Sequence, residues 1–131
     1  MTRSRILIAD DHKMFAQGLR LLLEEEFDLV GIVGDGQALI EETERLNPDL
    51  ILVDISMPVL NGLEAVRLLK EKGSVVKVIF LTMHANRRML LEAFQCGANG
   101  YVLKQSAGDE LVHAIEQTLA GHEYVTPSLR S

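Results

Sequence analysis

The run Leu50-Ile51-Leu52-Val53 contains no polar residue, and that continuity constrains the fold more than any other feature of the chain. A strand with one wet face alternates apolar and polar residues. A strand without alternation is buried on both faces, which requires helices above and below a parallel sheet. Similar runs occur at Arg5-Ile6-Leu7-Ile8-Ala9, Leu29-Val30-Gly31-Ile32-Val33, Val78-Ile79-Phe80-Leu81 and Gly100-Tyr101-Val102-Leu103. Segments with apolar residues at helical spacing separate them: Phe15, Leu19, Leu22 and Leu23, then Leu39, Thr43 and Leu46, then Val66 and Leu69. Leu90, Ala93, Phe94 and Gly97 mark a fourth helix, and Leu111, Ala114, Ile115, Thr118 and Leu119 a fifth. Glu24-Glu25-Glu26, Asn47-Pro48 and Gly73 read as helix ends, Asn61-Gly62 as a start, and Asp109 with Glu110 as a dipole-favoured first turn. Five strands alternating with five helices predict a doubly wound α/β domain with a parallel sheet and helices on both faces.

With 131 residues and 47% hydrophobic content, the chain is long enough for one domain with a core and too short for two ordinary ones. The domain is expected over residues 1–120, and 121–131, punctuated by Pro127, reads as the start of a linker. A net charge of −6 with scattered Lys and Arg disfavours nucleic acid, and 5% aromatic content without Trp offers little for base stacking. The single cysteine, Cys96, excludes an internal disulfide and a cysteine-rich zinc site, and it reads as a small core or boundary residue. No apolar run approaches a membrane span, and Met1-Thr2-Arg3-Ser4-Arg5 leads into a strand rather than a signal peptide. A cytoplasmic protein with no membrane contact is expected.

Four of the strand runs end in chemistry. Asp10 and Asp11 follow the first, Asp54 the third, Thr82 the fourth and Lys104 the fifth. In an open parallel sheet these carboxyl ends share one edge, where such folds bind their ligands. Two carboxylates about 4 Å apart repel by on the order of 4 kcal/mol at an effective dielectric near 20. Either one of them stays protonated or a cation occupies the site. Mg2+ suits an oxygen-only donor set that takes one or two carboxylates, keeps waters and binds a phosphoryl oxygen. Lys104 offers a point charge and Thr82 a hydroxyl for phosphoryl oxygens, and Asp54 is the candidate nucleophile, forming an aspartyl phosphate. No glycine-rich nucleotide motif is present, and neither Ser nor Cys stands with a His and an acid as a triad requires.

Taken singly, Asp10-Asp11 reads as a helix cap, Asp54 as a turn residue and Tyr101 as an ordinary strand aromatic. Their joint occurrence with Thr82 and Lys104 is what favours a site. His12 reads as a solvated first-turn residue, because Mg2+ prefers oxygen. His84, His113 and His122 lack metal-like spacing, and Met14, Met83 and Met89 read as packing.

Asp10-Asp11, Asp54 within Asp-x-x-Met-Pro, Thr82, Gly97-Ala98-x-Gly100-Tyr101 and Lys104 together resemble the receiver domain of bacterial two-component response regulators. The likeness runs from about Ile6 to Leu119. It implies a flavodoxin-like, five-stranded sheet of order 2-1-3-4-5, with Asp54 taking a phosphoryl group from a sensor histidine kinase. It implies Mg2+ on Asp11, Asp54 and the Ser56 carbonyl, with Asp10 holding a metal-bound water. Thr82 and Lys104 would grip phosphoryl oxygens, Tyr101 would swing inward as Thr82 moves, and the fourth helix, fifth strand and fifth helix would form the switch surface. No enzyme is expected beyond Mg2+-dependent self-phosphorylation and slow self-dephosphorylation.

Two departures from that pattern matter. Gln105 stands where many receivers have Pro, so a cis bond is not expected, and Met83 and His84, larger than the usual residues, would narrow access to Asp54. The Lys104-Gln105-Ser106-Ala107 segment and the 121–127 tail are most similar to the NarL/FixJ subfamily. That subfamily acts on transcription through a LuxR-type helix-turn-helix domain, so DNA would be bound only through a C-terminal domain outside this chain, with homodimers formed through the receiver surface. A stand-alone adaptor would have the same domain without an output. A Mg2+-dependent phosphohydrolase would carry a second acid two residues after its nucleophile, where this chain has Ser56.

Overall fold

A computed structural model describes residues Arg3–Arg130; Met1 and Thr2, in the segment read as leading into the first strand, and Ser131, the end of the expected linker, lie outside the described residues. The strands are β1 (Arg5–Ala9), β2 (Asp28–Val33), β3 (Leu50–Val53), β4 (Lys77–Thr82), β5 (Gly100–Leu103) and β6 (Tyr124–Val125). The α-helices are α1 (Lys13–Leu23), α2 (Gly36–Leu46), α3 (Gly62–Glu71), α4 (Arg87–Gln95) and α5 (Ala107–Leu119). All strand pairs are parallel, in the order β2-β1-β3-β4-β5-β6.

Side chains alternate between the two faces of a strand, and here both faces are apolar. Ile6, Ile8, Leu50, Leu52, Ile79, Leu81 and Val102 point into one core layer with Leu19 and Leu23 of α1 and Leu111 and Ile115 of α5. Leu7, Ala9, Ile51, Val53, Val78, Phe80 and Tyr101 point into the other, with Leu39, Val66, Leu69, Leu90 and Ala93 of α2, α3 and α4. The central strands β1, β3, β4 and β5 are therefore sealed on both sides.

Local sequence sets the helix starts. Asp35 accepts the Ala38 N–H at 2.8 Å and Asn86 the Met89 N–H at 2.8 Å. Asn61 and Glu64 form a reciprocal capping box on α3. Asn47 ends α2 in the left-handed conformation, φ 49°.

The tail departs from the sequence reading. Residues 121–131 do not begin as a free linker, because the chain returns after α5 to add β6 beside β5, pairing Gly100 with Tyr124 and Tyr101 with Val125. A short 3-10 turn over Pro127–Leu129 follows, and Leu129 is 8% exposed, buried with the α2, α3 and α4 layer. Pro127 is the first residue of that turn, where its missing N–H is harmless. Ordered packing thus extends past residue 120, and the sheet has six strands instead of five.

One backbone position is strained. Val59 has φ 70°, and the Leu60 N–H bonds back to the Pro58 carbonyl at 2.8 Å, a γ-turn in the sterically poor positive-φ form. Its side chain is exposed and gains no burial in return.

Leu129→Ala should lower the unfolding free energy by about 2–3 kcal/mol, as core truncations do. A free linker residue would change it by less than about 0.5 kcal/mol, and denaturant titration separates the two. Val59→Gly should raise stability by about 1 kcal/mol in the same titration, by releasing a β-branched residue from positive φ.

Candidate functional site

Parallel pairing of β1 with β3 sets Ala9 beside Val53, so Asp10 and Asp54 leave the sheet side by side. The Asp54 N–H donates to the Ala9 carbonyl at 2.9 Å and the Asp10 N–H to the Val33 carbonyl at 2.9 Å, which fixes both backbones. Each residue is only 4% exposed, whereas Asp11 is open to solvent. At the far side Thr82 pairs with Leu103, placing the end of β4 next to the residue before Lys104.

The Lys104 side chain reaches back across that edge. Its Nζ lies 2.8 Å from Asp10 Oδ2 and 3.1 Å from Asp54 Oδ2, and 4.6 Å from the centre of the Phe15 ring. Burial works against its charge, but the hydrogen bonds to Asp10 and Asp54 outweigh it and leave its pKa above the ordinary lysine value. Asp54 is pushed above the ordinary aspartate value by burial and by the Asp10 carboxylate, with Lys104 and the Ser56 N–H opposing the shift.

Ser56 follows in a turn whose N–H donates to Asp54 Oδ1 at 3.2 Å. Gly62 holds that loop down: a Cβ there would fall 2.4 Å from the Asp54 carbonyl oxygen. Gly36 does the same from α2, where a Cβ would fall 2.2 Å from the Leu60 carbonyl oxygen. These close approaches need residues without side chains.

Thr82 is fully buried, and its Oγ1 accepts the His84 N–H at 3.2 Å. Tyr101 is also fully buried and already points inward, its hydroxyl donating to the His84 carbonyl at 2.6 Å. Burial pushes its pKa up to about 12. His84 Nε2 and Ser56 Oγ lie 2.9 Å apart, so His84 bridges the loops on either side of Asp54. Met83 instead points outward at 77% exposure, and Met14 is 91% exposed, so neither is core packing.

His12 also differs from the sequence reading. It is the residue before α1, and although its ring is largely exposed, its Nδ1 lies 3.1 Å from Asp10 Oδ1 and 3.5 Å from Asp11 Oδ1. The same atom is 3.2 Å from Lys104 Nζ. The sequence signal was its adjacency to the acidic pair; what periodicity did not show was that a ring at this position folds back over the strand end. The peptide bonds of the described residues, including that before Gln105, are trans.

Donor atoms of Asp10, Asp11, His12 and Asp54 lie within 4.8 Å of one another. Three carboxylates facing one ammonium form an oxygen-rich, under-neutralised pocket, the donor chemistry that suits a hard divalent cation. Asp10, Asp11 and Asp54 therefore fit a metal site, and Ser56 stands in the adjoining turn.

Lys104→Met should destabilise the metal-free protein by about 3 kcal/mol near neutral pH, because it leaves two buried carboxylates unpaired. A carboxyl whose folded pKa is raised contributes stability below its unfolded value that is lost as pH rises through the folded one. The loss in Lys104→Met should therefore shrink as pH falls toward 3.8, the ordinary aspartate value, and the double variant with Asp54→Asn should recover much of it. A pH-independent loss in denaturant titrations would count against the ion pair as its cause.

Comparison with known proteins agrees with this geometry. Residues 6–116 match the response regulator receiver domain family. The chain is 38% identical over 127 residues to the transcriptional regulatory protein DegU of Brevibacillus brevis, covering 95% of this chain and 54% of that protein. It is 35% identical over 126 residues to the nitrate/nitrite response regulator NarL of Escherichia coli K12, covering 95% and 58% respectively. The chain thus spans little more than half the length of these relatives. A crystal structure of a LuxR-family two-component response regulator from Aurantimonas sp. SI85-9A1 superposes with a TM-score of 0.93 at 32% identity, covering 98% of this chain and 93% of that one. With the matched segment spanning β1 to α5, the carboxylates, threonine and lysine at their strand ends and the tyrosine within β5, the chain belongs to the response regulator receiver domain family.

Proposed function

We propose that Asp54 accepts a phosphoryl group from the phosphohistidine of a sensor histidine kinase and that this event controls a DNA-binding output domain. The observation that carries the reading is Lys104 Nζ on Asp54 Oδ2 at 3.1 Å, beside the Asp10 and Asp11 carboxylates. A carboxylate oxygen of Asp54 attacks phosphorus as the phosphorus–nitrogen bond breaks, and the imidazole leaves. Lys104 then exchanges its carboxylate partner for a phosphoryl oxygen, and the Thr82 hydroxyl donates to another. Asp11, Asp54 and the Ser56 carbonyl would hold Mg2+, with Asp10 holding a water of that ion, and the ion would supply neutralisation of the phosphoryl charge. Ser56, two residues after Asp54, offers no acid to activate water, so the phosphoryl group is held rather than turned over.

The output half of the reading is supported by relatives named as transcriptional regulatory proteins, of whose length the matched segment covers 54–60%. The net charge of −6 leaves DNA contact to a separate, basic domain. The switch face of α4, β5 and α5, here including β6, is the surface through which two receivers would pair. Among the described residues no helix is long and apolar enough to cross a membrane, which supports a cytoplasmic site of action.

Incubation with acetyl phosphate and Mg2+ should add one phosphoryl group per chain by intact mass, and none to Asp54→Asn. Asp11→Ala should raise the Mg2+ concentration needed for labelling by roughly tenfold, about 1.4 kcal/mol of binding. Lys104→Ala should still be labelled, but the amide shifts that labelling induces in α4 and α5 should be lost. Undiminished labelling of Asp54→Asn would refute the assignment.

A further inference from the structure

Thr126 lies beyond the segment matched by the receiver family and is 1% exposed, and its N–H and hydroxyl are engaged with the switch face. Its N–H donates to the Tyr101 carbonyl at 2.9 Å. Its Oγ1 accepts the Leu103 N–H at 3.2 Å and donates to Glu110 Oε1 at 2.7 Å. It therefore clamps the β5 backbone at the tyrosine and at the residue joined to Lys104, and ties both to the first turn of α5. Glu110 also receives the Tyr124 hydroxyl at 3.0 Å, and Arg87 of α4 donates to the Leu129 carbonyl at 3.2 Å. Residues 124–129 thus form a strap across β5 fastened to α4 and α5.

Two routes lead from Asp54 into this strap. One runs through Lys104 to Leu103 and the Thr126 hydroxyl. The other runs from Asp54 Oδ1 through the Ser56 N–H, the Ser56 hydroxyl and the His84 ring to the His84 carbonyl, the Tyr101 hydroxyl and, at the Tyr101 carbonyl, the Thr126 N–H. We propose that Thr126 is a positioning residue for the Asp54 site, fastening the strap when Tyr101 is inward and so passing the state of Asp54 to the chain where it leaves the domain. Inward Tyr101 and a docked strap occur together in the structure. The proposal rests on Asp54 being the phosphoacceptor. Coupling of this kind is reciprocal: what tightens the strap must, when the strap is weakened, be tightened less by it.

Amide exchange of the chain, measured with and without acetyl phosphate and Mg2+, tests this. Phosphorylation should slow exchange at Val125 and Thr126 by roughly fivefold or more. Thr126→Val, which keeps the shape and loses the hydroxyl, should abolish that slowing and shorten the phosphoryl lifetime several-fold. Thr126→Ser should restore both, which a purely packing role would not predict. Should Thr126→Val fold poorly, Glu110→Gln weakens the same anchor while keeping an acceptor, and the lifetime should fall by a smaller factor. Uptake of phosphate with unchanged exchange at Thr126, or an unaltered lifetime in Thr126→Val, overturns the role of Thr126 alone. A chain that takes up no phosphate overturns the reading of Asp54 and this inference with it.

Discussion

The arrangement at the sheet edge depends on one ammonium group held between two buried carboxylates, Lys104 against Asp10 and Asp54. The strand order places β1 and β3 together and β5 on the far side of β4, so only a side chain as long as lysine closes the gap. The same order forces the carboxylates together, since parallel register makes Asp10 and Asp54 neighbours whatever their side chains prefer. Their repulsion is therefore a product of the fold, and it adds to burial, the larger cause, in holding Asp54 above the ordinary aspartate value against the Lys104 hydrogen bond. A site left short of positive charge has the donor chemistry that suits a divalent cation. Once a phosphoryl group sits on Asp54, the lysine has a more strongly charged partner within reach.

Much of this is legible in the sequence because it follows from short-range regularities. Apolar runs without alternation announce strands sealed on both faces, and each ends on a residue whose chemistry is visible by name: Asp10, Asp54, Thr82, Lys104. The missed features depend on long-range contacts. Tyr124-Val125 is too short to show periodicity, and its pairing with Gly100-Tyr101 exists only because α5 brings the chain back to the free edge of β5. Pro127, which reads as linker punctuation, serves equally as the first residue of a turn. That a hard cation disfavours nitrogen is a rule about ligation and is silent on where the His12 ring rests. Residue type alone suggests packing for Met14 and Met83, yet with Phe15 and Gln105 they line an open groove beside Lys104.

The two sides of Asp54 are built differently, which decides where a change at that residue can travel. On the β3–α3 side the loop is pinned by backbone contacts too close for any side chain, at Gly36 and Gly62, and by the α3 capping box. Such contacts have no alternative arrangement short of unpacking the loop, and Val59 is held at positive φ there without compensating burial. On the β4–α4 side the connections are single hydrogen bonds through side-chain groups: Thr82 to the His84 N–H, Tyr101 to the His84 carbonyl, and His84 to Ser56. Each can be exchanged for another partner at about 1 kcal/mol. Added charge at Asp54 would thus meet close backbone packing on one side and a chain of exchangeable bonds on the other. Those bonds lead toward β4, β5 and the strap that β5 carries, whereas Ser56 sits in the close-packed β3–α3 loop.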